Sequence, residues 1–318
     1  NSLSLKYPQH LLEIIVVSDG STDSTNEIVK QYANRGVILR HYDGRIGKST
    51  CLNMAVPIAG GEIIIFTDAN SKFDKDAVKE LVKNFADQRI GFVTGYTRYT
   101  EKNDKNEGDS IGFYSMLEKK IKSLESRVGS CVGADGAIFA VRKSLYQPLN
   151  DFDINDLVIP LNVIKQGYKG KFEEAAFCTE QSAGSTKGEF NRQVRITTRT
   201  IRAIFNYSSL FNLFNYGLFS FEFFSHKAIR LFIPFFMALA FISNLLIISQ
   251  GYFYALAFVI QLFFYSTTWL KYKKYNLNGI LDFFSVGYTF ITVNLAILWG
   301  WGKFMQGETF TVWQPLQR

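Results

Sequence analysis

Cysteine is scarce in this chain of 318 residues. Cys51, Cys131 and Cys178 lie far apart, without a CxxC pair or a neighbouring histidine. That spacing argues against a disulfide framework and against a zinc site, and leaves ordinary buried thiols in a reducing compartment as the expectation. The first residues carry no signal-peptide pattern. A nucleotide-binding loop of the GxxxxGK[ST] kind is also missing: in Gly44-Arg45-Ile46-Gly47-Lys48-Ser49 the two glycines stand only three apart, so ATP is not implied. Nor is this the composition of a disordered protein, since 47% of the residues are hydrophobic.

What is present divides into two parts. The 30 Phe and 16 Tyr crowd into the last third, where charges thin out and apolar runs lengthen. The formal net charge is +7, which by itself suits nucleic acid, anionic lipid or a phosphorylated substrate equally well, so the placement of the basic residues must decide.

Residues 11–17 form a continuous apolar run with two β-branched pairs, the pattern of a strand buried on both faces of a parallel sheet. Ser21-Thr22-Asp23-Ser24 offers helix caps, and Ile28, Val29 and Tyr32 recur at helical spacing before Asn34-Arg35-Gly36 ends the element. Residues 37–40 read as a short strand, 53–58 as part of a helix, 62–67 as a buried strand ending at Asp68, 76–85 as an amphipathic helix and 91–100 as a further strand. Strands alternating with helices at this spacing predict an α/β domain with a mostly parallel sheet. Ligands of such sheets bind at the carboxyl ends of the strands, where Ser18-Asp19-Gly20 and Asp68-Ala69-Asn70 fall, so the two acidic turns are expected to share one crevice.

Residues 231–248, 252–270 and roughly 280–301 are apolar runs near bilayer length and predict three membrane helices. Lys271-Tyr272-Lys273-Lys274, between the second and third, is a basic loop that the positive-inside rule places in the cytoplasm, and the α/β domain with it. The stretch 192–224 starts basic and becomes aromatic, which fits an interfacial segment lying along the membrane.

Val17-Ser18-Asp19-Gly20-Ser21-Thr22-Asp23-Ser24-Thr25 resembles the strand-end motif of family 2 glycosyltransferases, and the resemblance extends over nearly the whole chain to Trp313-Gln314-Pro315-Leu316-Gln317-Arg318. It implies a GT-A (nucleotide-diphospho-sugar transferase) domain over 1–190 with its first strand missing, an interfacial segment over 191–226 and a transmembrane region over 227–318, in a multi-pass protein of the cell membrane with a cytoplasmic catalytic domain. It implies that Asp19 contacts the donor's base or ribose; as a residue type there, it can equally cap the following helix. Lys48 and Arg45 would sit on the family's donor-closing loop, where they can reach a diphosphate or remain solvated. Phe66-Thr67-Asp68-Ala69-Asn70 is similar to the DxD motif, with Asn70 in place of the second Asp, so that Asp68 and Asn70 would hold Mg²⁺ or Mn²⁺ weakly together with the donor diphosphate.

The Gly-rich stretch from Cys131 to Arg142 matches the floor beneath the transferred sugar. Asp135 there can bond a sugar hydroxyl, or the stretch can be only a tight turn entering a strand. Asn155-Asp156 resembles the site of the catalytic base; Asp156 is the expected base and Asp153 its competitor. Arg192-Gln193-Val194-Arg195-Ile196 stands where processive cellulose and hyaluronan synthases have QxxRW. Only Arg195 is kept, which weighs against processive polymerisation. Arg192, Arg195, Arg199 and Arg202 share one helical face, fit to meet a diphosphate leaving group or anionic lipid.

The expectation is an inverting hexosyltransferase that uses a UDP-sugar, with a lipid-linked or growing glycan acceptor, membrane lipids as surroundings and no nucleic-acid partner. A processive β-glycan synthase and an inactive membrane scaffold are the alternatives. Because family members begin with a further strand and an Asn-Glu-containing loop, the chain reads as an N-terminally truncated fragment, expected to be inactive as it stands.

Overall fold

The computed structural model describes residues 1–100, 105–181, 186–272 and 285–311. Strand β1 (Ile14–Asp19), helix α1 (Thr25–Lys30) and strand β2 (Val37–Tyr42) open the domain, and β1 pairs with β2 in parallel from Ile14 opposite Val37 to Asp19 opposite Tyr42. Helix α2 (Lys48–Ile58), strands β3 (Ile63–Phe66) and β4 (Lys72–Phe73), and helix α3 (Ala77–Val82) follow, with α3 prolonged by a tighter turn at Lys83–Ala86. Then come strand β5 (Ile90–Thr100), the long helix α4 (Lys105–Val128), strand β6 (Phe139–Arg142), helix α5 (Asn155–Lys165) and strand β7 (Lys169–Gln181).

Five of these strands form a second sheet in the order β3-β6-β5-β7-β4. The long β5–β7 pairing is parallel; β6 enters antiparallel between β3 and β5, so β3, β5 and β7 share one direction. The fold is thus the expected α/β arrangement with most strands aligned and two reversed. Among the described residues β1 pairs only with β2, and β3 only with β6.

Alternation along the strands builds a core on each face of the sheet. Phe92, Phe139 and Val141 face α5, where Leu157, Val158 and Leu161 meet them. Val93, Ile138 and Ala140 face the other way, onto Val78 and Leu81 of α3. The Phe66 and Phe139 rings stack at 4.6 Å. Gly170 is required beside Phe92, because a Cβ there would stand 2.0 Å from its ring. Truncating Phe92 to Ala is worth about 3–5 kcal/mol. All three cysteines are free and buried.

Helix α6 (Thr186–Asn206) carries the arginine stripe and buries Val194, Thr198, Ile201 and Ile204. The short helices α7 (Leu213–Tyr216) and α8 (Leu218–Phe223) lead through a π-helical turn, Phe224–Ala228, to α9 (Ile233–Ile247), α10 (Tyr252–Tyr272) and α11 (Ser285–Met305). Leu213, Phe214, Leu218, Phe221 and Phe224 are exposed.

The helical run Leu218–Gln250 is long and apolar enough to cross a membrane, whereas the described apolar part of the next, Tyr252–Ser266, is shorter. The third apolar run of the sequence behaves differently from a free-standing span. The second half of α11 buries Asn294, Ala296 and Ile297. Gly300 lets it approach α6 closely: its carbonyl accepts from Thr198 Oγ1 at 3.2 Å, and a Cβ would stand 2.7 Å from Thr197. Trp301 Nε1 donates to the Leu231 carbonyl at 3.0 Å. The basic loop expected between the second and third runs, from Lys273 onward, and the closing segment from Trp313 lie outside the described residues.

Candidate active site

Asp19 ends β1, and the backbone then needs a positive φ of 64° at Gly20. A side chain at Gly20 would collide with Gly44, at 2.6 Å from its carbonyl, so the two turns cross in direct backbone contact. Across that contact Asp19 accepts hydrogen bonds from the amides of Ile46 at 2.7 Å and Gly47 at 3.0 Å. Both carboxylate oxygens therefore take part in ordering the 44–47 loop. The side chain thereby fixes the loop from which Lys48 projects. Gly47, at φ 92°, also lies against the C-terminal segment, since its Cβ would stand 2.6 Å from the Thr311 carbonyl oxygen.

Lys48, the first residue of α2, donates to Asp68 at 2.6 Å. The two acidic turns are thus linked, through the 44–47 loop and this pair. Both side chains are about half exposed, at 46% and 42%, so the pair is worth about 0–1 kcal/mol and yields readily to an incoming ligand. Asn70 is exposed on the same turn. The donor set offered to a cation is Asp68 and Asn70, hard oxygens only, and among the described residues no three His, Cys, Asp or Glu gather elsewhere. That set fits Mg²⁺ or Mn²⁺ when a diphosphate supplies the remaining oxygens, and fits neither as a stand-alone site.

Asp135 is occupied within the fold. Its carboxylate accepts from the Thr97 amide and hydroxyl, both at 2.9 Å, and from the Ala137 amide at 3.1 Å. It holds the 133–136 turn against β5. Asp153 is buried and accepts from the Asn150 amide at 2.8 Å and Nδ2 at 3.0 Å, while its carbonyl accepts from Ser49 Oγ at 2.8 Å.

Asp156 is different. It sits in the first turn of α5, where the helix N-terminus favours a negative charge. Its carbonyl accepts from the Ala134 amide at 2.8 Å, which docks the helix end onto the Gly-rich turn. Its Oδ2 passes so near Gly136 that a Cβ there would stand 3.0 Å away. Oδ1 is buried with no hydrogen-bond partner. Burial pushes this carboxyl above the ordinary carboxylate value, Lys48 and Lys227 pull it back, and Asp68 and Asp135 add to the rise.

The arginine stripe splits in two. Arg199 donates to the Phe152 carbonyl at 2.6 Å and to that of Asp153, and Arg202 to the Glu308 carbonyl at 3.1 Å, so these two tie α6 to its surroundings. Arg192 is exposed and pairs with Glu189 at 2.9 Å. Arg195 makes no hydrogen bond or ion pair among the described residues; burial, with Arg199 and Arg192 beside it, pulls it down to about 10, still a full cation at neutral pH.

The chain folds as a GT-A-like α/β protein. Residues 2–148, a little under half of the chain, match the model of the glycosyl transferase family 2 domain. Poly-β-1,6-N-acetyl-D-glucosamine synthase from Staphylococcus aureus strain COL is 27% identical over 201 residues, covering 61% of this chain and 48% of the relative. The synthase of the same name from Staphylococcus epidermidis is 26% identical over 199 residues, with the same coverage. The chain thus spans about half the length of the curated relatives it matches. A mannosyltransferase from Pyrobaculum calidifontis, solved with GDP-Man and Mn²⁺, superposes with a TM-score of 0.68 at 20% identity, over 96% of this chain and 81% of its own, a likeness of fold.

Proposed function

We propose that this protein transfers a sugar with inversion from a UDP-sugar to a lipid-linked or growing glycan acceptor at the cytoplasmic face of the cell membrane, with N-acetylglucosamine as the first sugar to test. The observation that carries the reading is the half-buried Asp156 carboxylate, one oxygen of which is buried and unpartnered, on a Gly-lined floor with the charges of Lys48 and Asp68 acting on it. Structure alone rarely leaves such an atom unpaired, and a general base needs one.

In the reaction an acceptor hydroxyl oxygen attacks the anomeric carbon of the donor, the bond from that carbon to the diphosphate oxygen breaks, and Asp156 takes the hydroxyl proton as UDP departs. Lys48, Arg192 and Arg195 are assigned to the diphosphate, which gains negative charge as the bond breaks. Asp68 and Asn70 would hold the divalent cation, which when bound neutralises that charge. Asp19 acts one step back by fixing the 44–47 loop, and Asp135 by fixing the sugar floor. The apolar run Leu218–Gln250 anchors the domain, with α10 and α11 as the further spans. The test is UDP release and product sizing with radiolabelled UDP-N-acetylglucosamine in lipid vesicles; a protein that releases no UDP from any UDP-sugar is a scaffold and not an enzyme.

A second reading, processive synthesis of a β-linked polymer, is favoured by the names of the staphylococcal relatives and opposed by Arg192 and Ile196 in the place of QxxRW. Product length separates the two.

A further inference from the structure

A cavity of about 480 Å³ lies where α6, α8, the turn Phe224–Ala228, the start of the apolar run and α11 meet. Its volume falls within the range of small-molecule pockets. Ile201, Ile204 and Ala228 line its depth and are buried, whereas Phe221, Phe224 and Phe232 line it from exposed positions and form its mouth. One wall is fixed: Trp301 donates from Nε1 to the Leu231 carbonyl at 3.0 Å and meets the rings of Phe205 at 6.4 Å and Phe232 at 5.5 Å. Among the described residues no charged side chain lines the cavity, and its only polar ones are Ser208 and Ser220. Ser220 is buried, and its hydroxyl has no hydrogen-bond partner. An apolar cavity of this size forfeits dispersion contacts along its walls that an occupant would restore.

We propose that this cavity takes one acyl chain of a bilayer phospholipid, held as a structural lipid between α6 and the apolar run. The lining sets the chemistry. Without a cation or an array of hydrogen-bonding groups it offers nothing to a nucleotide, a sugar or a charged headgroup; it suits a hydrocarbon chain, with the Ser220 hydroxyl free for an ester carbonyl. The mouth sets the source. Phe221, Phe224 and Phe232 belong to the run Leu218–Gln250, long and apolar enough to cross a membrane, so an occupant can enter sideways from the hydrocarbon around that run. The inference rests on that run entering the bilayer. A carrier lipid of the glycan acceptor is the less suited occupant. At 3.6 residues per turn, Ile201, Ile204 and Phe205 lie on the face of α6 opposite Arg192, Arg195, Arg199 and Arg202. A carrier whose chain filled the cavity would therefore leave its phosphate across the helix from the arginines and Asp156. Arg199 bonds the Phe152 and Asp153 carbonyls just ahead of α5, so a chain packed behind α6 seats the helix from which the arginines project.

The experiment places the full protein in phosphatidylcholine vesicles containing a phosphatidylcholine with a photoactivatable diazirine in one acyl chain, and maps the cross-linked residues after illumination. Expected are adducts on the buried Ile201, Ile204 and Ala228 as well as on exposed side chains of α9 such as Leu246. Ala228→Phe, which fills the cavity, should lose the adducts on Ile201 and Ile204 and keep those on α9. Should that variant fail to insert, Ser220→Leu is read in the same way. Adducts on α9 without any on the buried residues overturn the cavity inference and leave the membrane reading standing. Adducts on neither overturn the membrane reading and this inference with it. Buried adducts that the filling variants leave undiminished also overturn the inference. Buried adducts removed by excess polyisoprenyl phosphate, but not by excess unlabelled phosphatidylcholine, would give the cavity to the acceptor's carrier and overturn the assignment to a bilayer lipid.

Discussion

The two ends of the crevice treat their carboxylates in opposite ways. At the donor rim Asp19 gives both oxygens to backbone amides, and Asp68 is met by Lys48. On the floor Asp135 and Asp153 are satisfied, yet Asp156 beside them keeps a buried oxygen with no partner. A buried acceptor left unpaired costs about 1–3 kcal/mol. Among the described residues the fold bears that cost at Asp156, where proton transfer is assigned, and at Glu222 Oε2 on α8, and avoids it at Asp19, Asp68, Asp135 and Asp153. The comparison separates residues that build the site from the residue that acts in it.

The sharpest way to break that contrast is Asp156→Asn, which keeps the size and removes the base. Turnover should fall by roughly two to four decades with donor affinity nearly unchanged. Activity within a few-fold of wild type would place the chemistry elsewhere.

Next in size is Asp68→Ala. Asn70 brings an oxygen but no charge, so Asp68 is the only carboxylate in the proposed cation set, and its loss should abolish the Mn²⁺-dependent part of UDP-sugar binding. Calorimetric titration with and without Mn²⁺ reads it. An undiminished metal-dependent increment would remove Asp68 from that set.

These assignments show how far the residues speak for themselves. The Gly and Asp turns at 18–20, 44–48 and 68–70 were legible because strand-end loops carry their chemistry in contiguous residues, and the elements read between residues 11 and 100 were placed to within about five residues, whereas β4, α4, α5 and β7 were not read. The partners of Asp19 were not legible, since the amides that satisfy it come from 27 and 28 residues further on. The reversal of β6 was not foreseen either: a strand after the Gly-rich turn was one reading of that stretch, but pairing direction has no local signature.

A smaller effect tests the satisfied side of the comparison. Asp135→Asn should cost about 1–3 kcal/mol of stability by weakening three hydrogen bonds that hold the 133–136 turn. Thermal unfolding measures it, and residual turnover should track the folded fraction. A loss of turnover far beyond the loss of folded protein would return Asp135 to direct contact with the sugar.

The smallest expected effect concerns Asp153 and is read through pH. Burial pushes its carboxyl above the ordinary value, while the two bonds from Asn150 and the charge of Arg199 work against the rise. For an acid raised in the fold, the folded state binds the proton more tightly than the unfolded chain does. Its contribution to stability is therefore complete below the unfolded value and declines as the pH climbs through the folded value. Asp153→Asn cannot titrate and lacks that decline. The difference in unfolding temperature between wild type and variant should favour wild type most at the acid end and shrink toward neutrality, while turnover stays within a few-fold because Asp153 is not the base. A wild-type advantage that instead grows with pH would mean that Asp153 is stabilised as a carboxylate, and a collapse of turnover at unchanged stability would make it, rather than Asp156, the group that takes the proton.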